Sequence, residues 1–143
     1  MAITKKSTII NAPVEKVYEY ARNPENFPEI WPSLVEVKNI KELPNGGNSF
    51  DWVYKMAGMK LNGFSEDIEV VPHKRTVSHT SGGIEGTVTW EYEAVDNGTK
   101  FTSTVEYKVP VPVLGKLAEP IIIKMNENES EIILANLKAR MEA

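Results

Sequence analysis

The chain has no cysteine and only two histidines in its 143 residues. The first absence removes disulfides, thiol nucleophiles and cysteine-ligated zinc together, and it fits a reducing compartment. A cytoplasmic location is the expectation. His73 and His79 lie an even number of positions apart, but Pro72-His73-Lys74 reads as a turn and no third ligand stands near in the sequence, so no metal is expected. Basic residues are not in excess either. Sixteen Lys and Arg against twenty Asp and Glu give a net charge of −4, which leaves no footprint for a phosphate backbone or an anionic lipid surface. Nucleic acid is thereby excluded as a partner. No apolar run approaches the roughly 20 residues of a membrane span. The opening Met1-Ala-Ile-Thr-Lys-Lys also lacks the apolar stretch of a secretory signal. Neither an integral membrane segment nor secretion is expected. Gly-x-Ser-x-Gly, His-Glu-x-x-His and the dinucleotide glycine pattern are all missing, so no cofactor is expected.

What is there reads as one folded unit. Hydrophobic residues at 41% and charged residues at 25% place the chain among globular rather than disordered sequences. Its length suits a single domain over 1–143, long enough to bury a core.

The periodicity changes twice along the chain. Ile3 to Ile10 is rich in β-branched residues and meets Asn11-Ala12-Pro13, where Asn11 can cap a helix and Pro13 can open it. Val14, Val17, Tyr18 and Ala21 then recur at helical spacing until Asn23-Pro24, and Asn26 to Ile30 has room for a second, short helix before Trp31-Pro32. Beyond Pro32 the period becomes two. Turn signals divide strands near 34–43, 48–56, 60–71, 75–81, 84–95 and 100–109. Hairpin-length turns imply an antiparallel meander. From Leu114 to Met141 the pattern is helical again, with Pro120 near its start; Pro120 to Met141 would span about 33 Å at ~1.5 Å per residue. The predicted class is α+β: a seven-stranded curved antiparallel sheet wrapped around a long C-terminal helix, with two short helices after the first strand.

Strand parity then assigns an inner face. Phe50, Trp52, Tyr54 and Met56 share one side of their strand; Ile84, Gly86, Val88, Trp90, Tyr92 and Ala94 share one side of another; Phe101, Ser103, Val105, Tyr107 and Val109 of a third. In strand 60–71 the apolar Phe64 and Ile68 draw Asn62 and Glu66 to the same side, and Val77 draws His79. The terminal helix carries two apolar stripes, one with Leu114, Leu117, Ala118, Ile121, Met125 and Ile132, the other with Ile123, Ile133, Leu134, Leu137 and Met141. Two tryptophans and three tyrosines on one concave face bring polar tips that need partners, which suits the wall of a ligand pocket better than a dry core. The expected cavity, of roughly 300–1,000 Å³, is bounded by Trp52, Tyr54, Met56, Phe64, Trp90, Tyr92, Tyr107, Leu117, Ile121 and Met125.

Three segments give the chain a family likeness: Asn-Ala-Pro-Val-Glu-Lys-Val-Tyr at 11–18, Asn-Pro-Glu-Asn-Phe-Pro-Glu-Ile-Trp-Pro at 23–32, and Tyr-Lys-Val-Pro-Val-Pro-Val-Leu-Gly at 107–115 leading into the long helix. With these the sequence resembles the START-like (SRPBCC) superfamily, and within it the polyketide cyclase/dehydrase-like branch. The resemblance implies a helix-grip fold over nearly the whole chain and a cavity for a lipid-, sterol- or polyketide-like molecule. It transfers no catalytic motif.

Three functions follow as alternatives. The first is binding or transport of a small hydrophobic molecule by a protein that is not an enzyme. The second is an aromatase/cyclase-like enzyme acting on a polyketide-type substrate, for which Glu66 and His79 beside apolar walls are the candidate acid and base. The third is a protein-interaction module using the outer helix stripe and the edge strands, and self-association at low affinity stays open with it. Arg22, Arg75 and Arg140 are expected to face solvent, leaving no arginine in the cavity to clamp a carboxylate.

Overall fold

A computed structural model describes residues 2–56, 58–109 and 119–143. Strand β1 (Ala2–Ile10) leads into helix α1 (Val14–Ala21), a single 3-10 turn (Pro24–Asn26) and helix α2 (Phe27–Ile30). Strands β2 (Leu34–Glu42), β3 (Asn48–Met56), β4 (Met59–Val71), β5 (Arg75–Gly82), β6 (Glu85–Val95) and β7 (Gly98–Lys108) follow, and helix α3 (Glu119–Glu142) ends the chain.

Pro13 stands at the entrance of α1 with the extended φ of −65° that its ring imposes, and no side chain caps the helix. Asn11 was expected to do so. Its backbone N–H instead donates to Glu142 Oε2 at 2.8 Å, tying the start of α1 to the end of α3. The 3-10 turn does have a side-chain cap, since Asn23 Oδ1 accepts from the Glu25 N–H at 3.1 Å.

All seven strands pair antiparallel in the order β1-β7-β6-β5-β4-β3-β2. The turns explain the meander. Val95 pairs with Gly98 across Asp96-Asn97, where Asn97 takes φ 65°, and Val71 pairs with Arg75 across Pro72-His73-Lys74, where His73 takes φ 64°. Helix α3, about 36 Å long at ~1.5 Å per residue, packs mainly on β1 and α2. It turns Ile122, Glu129, Ser130, Ile133, Leu134, Leu137 and Met141 inward. One core cluster joins α1, the C-terminal half of α3, Trp90, Tyr92 and Phe101; a second joins Leu34, Phe50, Trp52, Tyr54, Met56, Leu61, Tyr107 and Ile122. Fully buried side chains such as Phe101, Ile10 and Leu137 each contribute about 1.5–3 kcal/mol of burial.

Four parts of the inner-face assignment are corrected, one of them β5, where Val77 and His79 take the outer face with Thr89 and Thr87 while Thr76, Ser78 and Thr80 face inward. In β4 the inward residues are Leu61, Gly63, Ser65 and Asp67, so Asn62, Phe64 and Glu66 point outward; Phe64 is 40% exposed. Met56 pairs with Met59 and hence Trp52 with Gly63, and cross-strand partners share a face. Beyond Asp67 a bulge inserts Ile68, which is exposed, and returns Val70 to the inside. In α3 the Ile121–Met125–Ile132 stripe faces out, with Ile121 62% exposed, while Ile133, Leu134, Leu137 and Met141 of the second stripe are buried together with Ile122, and Ile123 is half-buried. Ala94, near the β6–β7 turn, is exposed as well. Leu114, Leu117 and Ala118 lie outside the described residues.

Candidate functional site

Between the concave face of the sheet, α1, α2 and α3 lies a cavity of about 120 Å³ that is partly open to solvent. It is smaller than the sequence suggested. Phe27 and Trp31 of the short-helix segment line it; Phe27 meets Phe50 and Trp90 edge-on at ring centroid distances of 5.6 and 5.4 Å, and Trp31 lies tilted against Trp90 at 6.4 Å. Of the ten residues expected to line it, Trp52, Tyr54, Met56, Trp90, Tyr92 and Tyr107 do so. Phe64 is turned away by the β4 register, Ile121 and Met125 by the rotation of α3, and Leu117 is outside the described residues. All three tryptophans of the chain, Trp31, Trp52 and Trp90, face the cavity.

Glu66 and His79 do not reach it. They sit directly opposite each other on β4 and β5, both exposed on the outer face, while Thr76, Ser78 and Thr80 of β5 face inward. Two acidic residues border the cavity, Glu106, exposed on β7, and Asp67, half-buried at the β4 bulge. Ser78 Oγ donates to Asp67 Oδ1 at 2.6 Å and the Asn48 N–H to its Oδ2 at 2.8 Å. Burial pushes the Asp67 carboxyl above the ordinary carboxylate range, against the opposing pull of Ser78, the Asn48 N–H and the nearby Arg22 guanidinium. Arg22 is exposed, as expected, and also borders the cavity beside this group; its Nη2 donates to the Gly46 carbonyl at 3.3 Å.

The other end of the cavity holds Tyr107 and Asn126. Burial pushes the Tyr107 phenol up to about 12, with Glu127 adding to the shift. The aromatic wall is fixed by side-chain hydrogen bonds. Trp52 Nε1 donates to Thr80 Oγ1 at 3.0 Å, and its ring lies over Gly63, where any side chain would overlap it. Behind the wall sits Glu129, a buried carboxylate on α3 that the pattern of apolar stripes concealed. It accepts from Trp31 Nε1 and the Ser33 N–H, both at 3.0 Å, and from the Tyr54 hydroxyl. Burial first, and then Glu129, hold the Tyr54 phenol well above its ordinary range.

These groups suit retention of an apolar molecule with a few oriented polar contacts. Among the described residues no three His, Asp or Glu side chains gather closely enough to hold a metal ion, and no helix is long and apolar enough to cross a membrane.

The fold recurs in solved structures. Protein TTHA0849 from Thermus thermophilus is 24% identical with a TM-score of 0.77, over 97% of this chain and 96% of that one. A START superfamily protein from Mycobacterium smegmatis is 13% identical with a TM-score of 0.78, over 99% and 98%. The di-domain ARO/CYC protein StfQ from the steffimycin biosynthetic pathway is 18% identical with a TM-score of 0.80; this chain is covered to 99% but spans only 51% of that protein. At these identities the likeness is one of fold. No curated protein matches the sequence. The sequence pattern described as "Polyketide cyclase / dehydrase and lipid transport" matches residues 1–142, and the chain belongs to that family.

Proposed function

We propose that this protein binds and carries a small hydrophobic molecule in the cavity between the sheet and α3, with the whole chain acting as one domain. The observation that carries this reading is the wall itself. Six inward aromatics or methionine, Trp52, Tyr54, Met56, Trp90, Tyr92 and Tyr107, surround empty space in a chain whose family description includes lipid transport. The carrier reading is preferred to a cyclase because Glu66 and His79 lie on the outer face and both oxygens of Asp67 are already held by Ser78 and the Asn48 N–H. A polyketide-type reaction at Asp67 is the second reading, favoured by the half-buried position of that carboxylate in the cavity.

The test is binding of the neutral dye N-phenyl-1-naphthylamine. Because every tryptophan faces the cavity, occupancy should enhance dye emission and quench intrinsic tryptophan fluorescence in parallel, with 1:1 saturation. Native mass spectrometry of the purified protein should show a retained small molecule. If the dye gives no saturable signal and no molecule co-purifies, the carrier reading fails.

A further inference from the structure

Among the described residues, three buried side-chain polar atoms have no hydrogen-bond partner: the hydroxyls of Tyr92 and Tyr107 and the Oδ1 of Asn126. All three belong to residues that line the cavity. Orphaned polar atoms normally scatter through a protein and are few, because each costs the desolvation of a group that water had satisfied. Here all three belong to residues of one cavity, Tyr92 toward Asp67 and Tyr107 with Asn126 at the other end, which is what a site lacking its ligand looks like.

Tyr92 is the most informative of the three. It is 5% exposed on β6, and its ring is clamped by Phe101 and Tyr18, both edge-on at centroid distances of 5.3 Å. Packing therefore fixes where the hydroxyl points. The neighbours that act on the phenol are Tyr18 and Asp67, after burial itself, and all raise its pKa. The hydroxyl thus stays protonated and able to donate. Its surroundings also select against charge. A negatively charged head at Tyr92 would lie beside the Asp67 carboxylate, while the Arg22 guanidinium at the cavity's edge is turned to the Gly46 carbonyl and to Glu19 at 3.6 Å. A cationic head would meet an Asp67 whose oxygens are already engaged.

We infer that Tyr92 is the polar anchor of the cavity and that its hydroxyl hydrogen-bonds a neutral oxygen, a hydroxyl or a carbonyl, on an otherwise apolar ring compound. This rests on the carrier reading and narrows it, away from carboxylates and phosphate-headed lipids and toward uncharged oxygenated hydrocarbons. Tyr92 orients the ligand; it performs no chemistry.

The experiment is a ligand-and-mutation cycle, using displacement of N-phenyl-1-naphthylamine by 1-naphthol and by 1-methylnaphthalene, near-isosteres that exchange OH for CH3, from the native protein and from Tyr92→Phe. The variant keeps the ring and its packing. It should lower the affinity for 1-naphthol roughly fivefold to tenfold, the worth of one neutral hydrogen bond, and leave 1-methylnaphthalene within about twofold. The cycle cancels the difference in hydration between the two probes. 1-Naphthoate, the charged counterpart, should displace the dye more weakly than 1-naphthol from the native protein. In the ligand-free state Tyr92→Phe should melt at the same temperature or higher, since it removes an unpaired hydroxyl. Equal losses for both probes, no loss for either, stronger displacement by 1-naphthoate, or a clear drop in Tm of the free variant would overturn the inference while the cavity stands. A dye that binds neither protein would overturn the carrier reading instead.

Discussion

Replacing Glu129 tests how the lid helix is held over the site. The carboxylate gathers three donors from two other parts of the chain: Trp31 Nε1 and the Tyr54 hydroxyl on Oε1, and the Ser33 N–H on Oε2. Hydrogen bonds to a charged acceptor are worth about 1.5–3 kcal/mol each. Tyr54 is buried and would be stranded in Glu129→Ala, whereas Trp31 and Ser33 are half-buried and can recover part of their loss with water. The sum is then about 3–4 kcal/mol, within the ~3–5 kcal/mol typical of removing one member of a buried charged network. Glu129→Gln keeps one oxygen for Trp31 and Tyr54 but sets an NH2 against the Ser33 N–H, so about 1–2 kcal/mol is expected.

Urea unfolding followed by circular dichroism reads both values. With a slope of ~1–3 kcal/mol per molar, Glu129→Ala should shift the midpoint by about 1 M or more and Glu129→Gln by roughly half as much. Adding Tyr54→Phe to Glu129→Gln should recover part of the single losses, with a coupling of about 1 kcal/mol or more. A Glu129→Ala midpoint within ~0.3 M of the native protein, or a Gln variant as damaging as Ala, would refute the role assigned to this carboxylate. Since Trp31 and Tyr54 both face the cavity, the same substitution should also loosen dye binding.

Gly63→Ala should destabilise by about 1–3 kcal/mol, as overpacking does, because the added methyl meets the Trp52 ring and the backbone of Ser81; a thermal melt unchanged from the native protein would mean that Trp52 does not lie where described. Glu66→Gln and His79→Gln, both on the outer face, should each change stability by less than ~0.5 kcal/mol and leave dye affinity unaltered; a tenfold loss of binding in either would restore them to the site. The Asp67 carboxyl is raised by burial above its reference value of 3.8, so its favourable contribution is complete below that reference and is lost as pH rises through the raised value. Asp67→Asn, which cannot ionise, should therefore gain on the native protein between about pH 3 and pH 7 in paired urea titrations, and a gap that is flat or closes with pH would contradict the burial of this group.

The strands whose inner face is spelled in aromatics were legible from sequence, since β3, β6 and β7 alternate Phe50-Trp52-Tyr54, Trp90-Tyr92 and Phe101-Tyr107 against polar neighbours. In β4 the alternation pointed the wrong way, because its largest apolar residues, Phe64 and Ile68, are on the outside or in the bulge. The decisive constraint was the hairpin register. Met56 pairs with Met59, and carrying that register along the hairpin sets Gly63 against Trp52. Glu129 was hidden for a different reason. A carboxylate on a helix reads as solvated unless its donors are known, and these come from 98 and 75 positions away. The inward positions that strand and helix patterning passed over share a physical feature. Ser65, Asp67, Asn126 and Glu129 are polar residues set where packing alone would favour an apolar one, and the first three line the cavity. A polar group at such a position stabilises the fold only if something completes its hydrogen bonds. Asp67 and Glu129 are completed by the protein, whereas Tyr92, Tyr107 and Asn126 are not. Their desolvation is recovered only when the cavity is occupied, so occupancy should raise the Tm of the native protein more than that of Tyr92→Phe.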